Sequence, residues 1–179
     1  MNKLLVRGLI GLLLTGVTSV SQAAELSVGD DAPDFEMKGS DGKTYKLSDF
    51  KGKKTVVVAW FPKAFTGGCT KECISFRANG EAIREYNVAY FTASCDTVED
   101  NTSFAKQVEA DYPILSDPDR KVAKAYGLLA PGKNNASRWT YVIGENGKIK
   151  HIDKMVKAAD HGKDLIARLA ELNVPKLEK

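Results

Sequence analysis

The segment Phe-Pro-Lys-Ala-Phe-Thr-Gly-Gly-Cys-Thr-Lys-Glu-Cys, residues 61–73, decides how the rest of the chain is interpreted. It follows a run of β-forming residues, Thr55–Ala59, breaks at Pro62, and reaches Cys69 through two glycines. This order predicts a strand, a loop and a helix that begins near Cys69. A helix N-terminus carries roughly half a positive charge and unpaired N–H groups, and both stabilise a thiolate. The segment therefore predicts a reactive cysteine.

The start of the chain has the pattern of a secretory signal peptide. Lys3 and Arg7 precede the uncharged, mainly apolar residues 8–17, and Ser21-Gln22-Ala23 places small residues at the −3 and −1 positions of a cleavage site. The apolar run is too short for a transmembrane helix. We therefore predict that residues 1–23 are a cleaved signal peptide. The mature protein is then exported, most simply to the periplasm, with no membrane attachment after cleavage.

The mature chain, residues 24–179, has the length of a single domain. Removal of the two basic residues of the signal peptide lowers the formal charge from +3 to about +1. This balance gives no reason to expect a nucleic-acid or anionic-membrane partner. The cysteines, Cys69, Cys73 and Cys95, are too few for a disulfide-stabilised mini-protein. In an oxidising compartment their odd number indicates a redox pair with a leftover thiol, or a single reactive thiol.

The centre of the chain predicts alternating strands and helices. Residues 55–61 show no alternation between apolar and polar positions, which is typical of a central strand covered on both faces. A helical pattern runs from about Cys69 to Tyr86, with Ile74 among its apolar markers, and a second buried strand follows at residues 87–94. Residues 97–100 resemble a capping box that begins another helix.

The C-terminal part predicts a hairpin and a closing helix. A short strand at residues 112–116 precedes a short helix at residues 117–126. Residues 139–143 and 148–152 flank a Glu-Asn-Gly turn, a strong hairpin signal. The final amphipathic helix carries Leu165, Ile166, Leu169 and Leu172.

Near the N-terminus, residues 34–37 and 44–47 flank Ser40-Asp41-Gly42 and predict a small hairpin, followed by a short helical turn at residues 47–50. A β-α-β-α core, a β-hairpin and a closing helix are the outline of the α/β thioredoxin-like fold. The prediction is therefore one thioredoxin-like domain, residues 24–179, with an N-terminal β-hairpin extension. This fold outline is compatible with many functions, and the residues of the site distinguish between them.

The spacing Pro62-x-x-x-Thr66-x-x-Cys69 resembles the active-site pattern of the peroxiredoxin family. Within it, the chain is similar to the peroxiredoxin Q branch, also called bacterioferritin comigratory protein. The similarity covers essentially the whole mature chain. The residues that carry it outside the motif are Phe61, Gly68, Thr70, Glu72, Phe76-Arg77, residues 30–35, residues 121–127 and Arg138.

The resemblance implies a thiol-dependent peroxidase for hydrogen peroxide and organic hydroperoxides. Cys69 would attack the peroxide as a thiolate and become a sulfenic acid. Thr66 would hold the sulfur or the peroxide oxygen, and Pro62, which lacks an N–H group, would shield the sulfur from water. Arg138 would stabilise the thiolate and the charge on the leaving oxygen. We expect no metal or organic cofactor, a thioredoxin-like or small-thiol reductant, and a monomer or weak dimer.

The second cysteine departs from the family pattern. In this branch the resolving cysteine usually lies five residues after the peroxidatic one, where this chain has Ile74, and Gly67 replaces the usual proline. Cys73 is the leading candidate for the resolving thiol. Residues four apart on a helix have Cβ atoms about 5–6 Å apart, whereas a disulfide needs about 4 Å, so the first helical turn would have to unwind. Otherwise Cys95 or an external thiol resolves the sulfenic acid.

The roles of several other residues near the motif are less closely defined by the sequence. Glu72 either orients an arginine or is an ordinary acidic residue in a first helical turn. Cys95 is interpreted as buried and inert. We expect His151 and His161 on the surface or in the hairpin, and Phe65 in packing close to the pocket.

Two other functions use the same cysteines. A copper chaperone of the Sco type would bind copper through the soft sulfurs of Cys69 and Cys73. Such proteins take a third ligand from a histidine where this chain has Ser137-Arg138, and copper leaves the Pro62 and Thr66 pattern unexplained. A general dithiol oxidoreductase normally carries Cys-x-x-Cys, which is missing from this sequence. We favour the peroxidase.

Overall fold

The computed structural model describes residues 25–177. The predicted signal peptide, residues 1–23, lies outside this range. Within it, no helix combines the length and the apolar character that crossing a bilayer requires.

The described residues contain a seven-stranded sheet in the order β2-β1-β5-β4-β3-β6-β7. β3, β4 and β5 are parallel, and the other pairings are antiparallel. The strands are β1 (Glu36–Gly39), β2 (Thr44–Lys46), β3 (Thr55–Trp60), β4 (Val88–Ser94), β5 (Ile114–Ser116), β6 (Thr140–Ile143) and β7 (Ile149–Asp153).

Five α-helices and a short 3₁₀ helix are described around this sheet. The 3₁₀ helix is Leu47–Phe50, and the α-helices are α1 (Gly67–Ala78), α2 (Gly80–Arg84), α3 (Val98–Gln107), α4 (Lys121–Ala125) and α5 (His161–Glu171). At the start of α3, the Thr97 hydroxyl accepts a hydrogen bond from the Asp100 N–H, as the capping sequence predicts.

β3 lies between β4 and β6 in the interior of the sheet, and all six of its residues are buried. Val57 and Ala59 face a core built with residues of α1, α2, α3 and α5. Val56 and Val58 face a second core that includes residues of α4 and the 3₁₀ helix. Because both faces are covered, this strand has no solvent-exposed side, which explains the apolar run from Val56 to Trp60.

Both predicted hairpins are present. β1 pairs with β2 across a turn in which Gly42 has φ of 82°, and β6 pairs with β7 across a turn in which Gly147 has φ of 80°. These left-handed conformations favour glycine. β1 also pairs with β5, so the N-terminal hairpin extends the central sheet. The predicted thioredoxin-like fold with an N-terminal hairpin is confirmed.

The prediction of one helix from Cys69 to Tyr86 was wrong in its boundaries. α1 begins at Gly67 and ends at Ala78, and α2 is a separate short helix. A Cβ atom on Gly80 would lie 3.0 Å from side-chain atoms of Arg84, Tyr90 and Asp111. Gly80 therefore permits a close approach at the break between the two helices.

The buried face of α1 also differs from the prediction. Ile74, an expected core position, is 39% exposed. The buried positions include Cys69, Glu72, Cys73 and Phe76. A cysteine pair and a carboxylate thus occupy the side of the helix that packs on the sheet, which is why apolar periodicity did not identify it.

The sheet topology brings Arg138 to the start of α1. β6 runs antiparallel to β3, with Thr140 opposite Ala59, and the Trp60 N–H donates to the Trp139 carbonyl at 2.8 Å. Arg138 immediately precedes this pairing. It therefore lies beside the end of β3, close to the point where the chain leaves the sheet for α1.

Candidate active site

Cys69 lies in the first turn of α1 and is 1% exposed. Its Sγ accepts a hydrogen bond from Nη2 of Arg138 at 3.2 Å, although the two residues are 69 positions apart. The guanidinium group is permanently charged, and the side chain of Arg138 retains 22% exposure. A thiolate in this position would be stabilised by both the helix N-terminus and the guanidinium.

Glu72 links this pair to the protein interior. Its side chain is fully buried, and Oε2 accepts a hydrogen bond from Nη1 of Arg138. Oε1 lies 2.8 Å from Nδ1 of His161. On the other side of the ring, Nε2 lies 2.8 Å from the hydroxyl of Thr140. Of the two interpretations of Glu72, the geometry therefore supports the one in which it orients an arginine.

The expected surface position of His161 was wrong. The residue is 3% exposed, and burial lowers the pKa of its imidazole to about 4, with a smaller contribution from the charge of Arg138. Asp153 and Asp164 oppose this shift of the pKa. The neutral ring has one donor and one acceptor, so Nδ1–H donates to Glu72 and Nε2 accepts from the Thr140 hydroxyl.

One signal in the sequence could have drawn attention to His161. Gly162 follows it, and a Cβ atom at that position would lie 2.3 Å from the Ser75 carbonyl oxygen. The Gly162 N–H also donates to the Ser75 hydroxyl at 3.0 Å. A glycine at the beginning of an amphipathic helix indicates a close approach to another backbone, which would bury the neighbouring histidine.

Thr66 occupies the N-cap position of α1, and its hydroxyl donates to the Lys63 carbonyl at 2.9 Å. This leaves the hydroxyl oxygen able to accept a hydrogen bond from a ligand near Cys69. Pro62 is partly buried at the other end of the same loop and offers no N–H group.

The loop between β3 and α1 is held by an aspartate that sequence reasoning did not identify. A carboxylate oxygen of Asp96 accepts the Ala64 N–H at 2.7 Å, and the other lies 3.7 Å from the Lys63 ammonium group. Phe65 has φ of 63°, unusual for a bulky residue, and is half exposed. Its ring packs edge-on against Phe104, with centroids 5.2 Å apart. These contacts stabilise a strained loop next to the cysteine.

Cys73 lies one turn after Cys69 and is completely buried. Burial raises the pKa of its thiol to about 12. The backbone carbonyl of Cys73 accepts a hydrogen bond from the Tyr112 hydroxyl at 2.9 Å. In this conformation the Cys73 thiol is therefore protonated and shielded from solvent.

Cys95 follows β4 and packs against the core on the opposite face of the sheet from Cys69 and Cys73. It is half-buried, not fully buried as expected, and burial raises the pKa of its thiol to about 11. The sheet separates Cys95 from the other two thiols.

The positive charge of Arg138 next to Cys69 disfavours a metal cation at the sulfur. Between residues 25 and 177, no group of three or more histidine, cysteine, aspartate or glutamate side chains is arranged to hold a metal ion.

The chain is similar to known proteins over most of its length. Residues 28–152 match the AhpC/TSA family. Peroxiredoxin Bcp of Bacillus subtilis is 31% identical over 154 residues, which cover 83% of this chain and 98% of the relative. Chloroplastic peroxiredoxin Q of Gentiana triflora is 34% identical over 155 residues, 77% of this chain and 69% of the relative. The crystal structure of peroxidoxin BcpB from Mycobacterium tuberculosis has a TM-score of 0.73 at 31% identity, covering 83% of this chain and 97% of that one.

A thioredoxin-like fold with a cysteine and an arginine at a helix N-terminus defines a thiol redox protein. The chain belongs to the AhpC/TSA family, in its peroxiredoxin Q/Bcp branch. It is accordingly a thiol-dependent peroxidase, an oxidoreductase that uses a peroxide and a thiol reductant. The copper-chaperone alternative finds no support in these matches.

Gly68 offers a test of the contact between Cys69 and Arg138. A Cβ atom on Gly68 would lie 3.2 Å from Nη2 of Arg138, whereas nothing lies within 4 Å of one on Gly67. Gly68→Ala should displace the guanidinium and lower the peroxide rate constant by up to roughly tenfold. The better helix propensity of alanine should raise the stability of Gly67→Ala by up to about 1 kcal/mol, whereas displacement of the guanidinium that pairs with the buried Glu72 should offset this gain in Gly68→Ala. Stopped-flow peroxide kinetics and urea unfolding of Gly68→Ala and Gly67→Ala test this, and equal rate constants would contradict it.

Proposed function

We propose that Cys69 is the peroxidatic cysteine and reduces hydrogen peroxide and organic hydroperoxides. The observation that carries the proposal is the hydrogen bond of 3.2 Å from Arg138 to the Cys69 sulfur at the start of α1. The thiolate attacks the terminal peroxide oxygen, an S–O bond forms and the O–O bond breaks. The leaving oxygen takes a proton and departs as water or an alcohol, and Cys69 becomes a sulfenic acid.

The neighbouring residues have complementary roles in this step. The charge of Arg138 stabilises negative charge as it moves onto the leaving oxygen. The Thr66 hydroxyl has given its hydrogen to the Lys63 carbonyl, so its oxygen accepts the peroxide O–H and orients the substrate. Pro62 presents no competing donor to the sulfur.

We propose Cys73 as the resolving thiol. It attacks the sulfenic sulfur, an S–S bond forms, the S–O bond breaks, and water leaves. The complete burial of Cys73 and its thiol pKa of about 12 mean that it has to leave the core to react as a thiolate. The start of α1 then unwinds, which breaks bonds such as that from the Thr70 N–H to the Thr66 carbonyl at 2.9 Å. A thioredoxin-like protein or a small thiol reduces the resulting disulfide.

The central experiment measures peroxide consumption and intact mass for Cys69→Ser, Cys73→Ser and Cys95→Ser. Cys69→Ser should lose the thiol-dependent activity. Cys73→Ser should keep the first step but form no intramolecular disulfide, and Cys95→Ser should match the unmutated protein. Full activity in Cys69→Ser would refute the assignment of the peroxidatic residue. An intramolecular disulfide in oxidised Cys73→Ser would make Cys95 the resolving thiol.

Tyr112 should control the opening of α1. Tyr112→Phe removes the hydroxyl that donates to the Cys73 carbonyl at 2.9 Å, a bond worth about 1 kcal/mol, so disulfide formation should accelerate roughly fivefold. Tyr90→Phe is the matched control, because its ring packs against Tyr112 but its hydroxyl contacts Arg84. Disulfide formation is followed by quenched-flow alkylation after one equivalent of peroxide. The same acceleration in both variants would exclude a specific role for the Tyr112 hydroxyl.

We further propose that the mature chain, residues 24–179, acts in the periplasm as a monomer or weak dimer without a metal or organic cofactor. The basic, apolar and small-residue pattern of residues 1–23 supports export. Cell fractionation with N-terminal sequencing tests cleavage and location, and an uncleaved cytoplasmic chain would refute them.

Sedimentation velocity tests the oligomeric state, where a tight oligomer would refute the proposal. Undiminished peroxidase activity after chelation and gel filtration is expected, and loss of activity would refute the absence of a cofactor.

A further inference from the structure

His161 is buried next to Glu72, and the proposed reaction of Cys69 with peroxide gives it no role. The hydrogen-bond partners of the His161 ring are Thr140 and Glu72, whereas Cys69 is hydrogen-bonded to Arg138. His161 contacts Glu72, whose other carboxylate oxygen accepts from Arg138. The side chains of Thr140, His161, Glu72 and Arg138 thus form a continuous hydrogen-bonded series that ends at the Cys69 sulfur.

The two donors to Glu72 determine its orientation. The carboxylate is fully buried, so water does not compensate its charge. Arg138 donates to Oε2 and His161 donates to Oε1. Because each carboxylate oxygen of Glu72 accepts from its own donor, the carboxylate cannot rotate without breaking a hydrogen bond. Without the donor on Oε1, the group is free to rotate and carry the Arg138 guanidinium away from the sulfur.

The His161 ring is itself rigidly placed. Phe76 packs edge-on against it, with centroids 4.7 Å apart. Its Nε2 accepts from the Thr140 hydroxyl on β6, and the Gly162 N–H is anchored to the Ser75 hydroxyl at 3.0 Å. A side chain held from a strand and from two helices is suited to positioning another group.

We propose that His161 is a positioning residue for peroxide reduction, and that its Nδ1–H holds Glu72 so that Arg138 faces the Cys69 sulfur. The inference rests on the proposed roles of Cys69 and Arg138. His161 does not touch the reacting atoms, so it is not a catalytic residue. Its loss should lower the rate of sulfenic acid formation without a change in the chemistry.

A cavity of about 250 Å³, lined in part by His161 but not by Cys69 or Glu72, allows a direct test. His151, Asp164 and Arg168 are among its lining residues, together with His161 and Thr140. Truncation of His161 to alanine would join the space of the lost ring to this cavity. Imidazole added to the solution then has a route to the vacated position beside Glu72.

The experiment compares four variants in peroxide kinetics and urea unfolding. His161→Ala should react with peroxide roughly ten- to a hundredfold more slowly, the effect of losing a hydrogen bond to a charged group. His161→Asn should retain most of the rate, because its amide nitrogen replaces Nδ1. His161→Gln places its amide nitrogen at the position of Nε2 instead of Nδ1, so this variant should not retain the rate. His151 lines the same cavity without a hydrogen bond to Glu72, so His151→Ala should react with peroxide at the rate of the unmutated protein.

Imidazole should raise the rate of His161→Ala in a saturable way and leave His151→Ala unchanged. Rates are compared per folded molecule, from the unfolding curves. A normal rate in folded His161→Ala, or equal rates in the Asn and Gln variants, would overturn the positioning role. If His161→Ala does not fold, the comparison of Asn with Gln decides. Activity that survives Cys69→Ser would instead refute the proposed function, so the two failures are distinguishable.

Discussion

Replacement of Arg138 by glutamine is expected to lower the rate constant for peroxide at least about 100-fold, the effect of losing a charged donor at a developing oxyanion. The same substitution should destabilise the fold by about 3–5 kcal/mol, because it leaves the fully buried Glu72 without its cationic partner. Both effects arise from one guanidinium group, since Nη2 contacts Cys69 and Nη1 contacts Glu72.

A double variant separates the two effects of Arg138. In Arg138→Gln with Glu72→Gln, the buried charge is removed with its partner, so much of the stability should return. The peroxide rate should stay low, because the charge near Cys69 is still missing. Arg77→Gln is a suitable control, since Arg77 pairs with the exposed Glu109 and surface pairs contribute about 1 kcal/mol or less. A normal peroxide rate in Arg138→Gln would contradict the assigned role.

Acidification from neutral pH to about pH 4 is expected to destabilise the protein by about 3 kcal/mol through His161 alone. Burial lowers the pKa of this residue from 6.5 to about 4 in the folded state. The unfolded chain therefore binds a proton as the pH falls below 6.5, while the folded protein does not. This contribution to stability is complete above pH 6.5 and is lost progressively down to about pH 4.

Charged groups from several elements surround His161. Glu72 lies on α1, Arg138 precedes β6, Asp153 ends β7 and Asp164 is on α5. Burial outweighs the charges of Asp153 and Asp164, which favour the protonated ring.

Urea unfolding of the unmutated protein and of His161→Asn across this pH range measures the effect. The carboxylates are the same in both proteins, so their titration contributes equally to the two free energies of unfolding. The amount by which the unmutated protein is more stable than His161→Asn should therefore shrink by about 3 kcal/mol between neutral pH and pH 4. Parallel stability curves would show that the pKa of His161 is not lowered by folding. His151→Asn serves as a comparison at a more exposed histidine.

Much of the reactive site could be predicted from local sequence. An apolar run without alternation predicted β3, and a proline and two glycines before Cys69 predicted the change from strand to helix. The Glu-Asn-Gly turn predicted the final hairpin and therefore the strand that follows Arg138. These predictions succeeded because each depends on neighbouring residues and on backbone preferences that act over a few positions.

Local sequence patterns thus predict the order of the elements, the cysteine at the start of α1 and the distal arginine. Which polar groups are buried together depends on how the elements pack in three dimensions. Glu72, Cys73 and His161 lie on surfaces that pack against one another because α1 and α5 cover the same face of the sheet. The burial and the hydrogen-bonding partners of these side chains depend on how the two helices pack. Packing involves residues far apart in the sequence, so a local sequence pattern does not predict it.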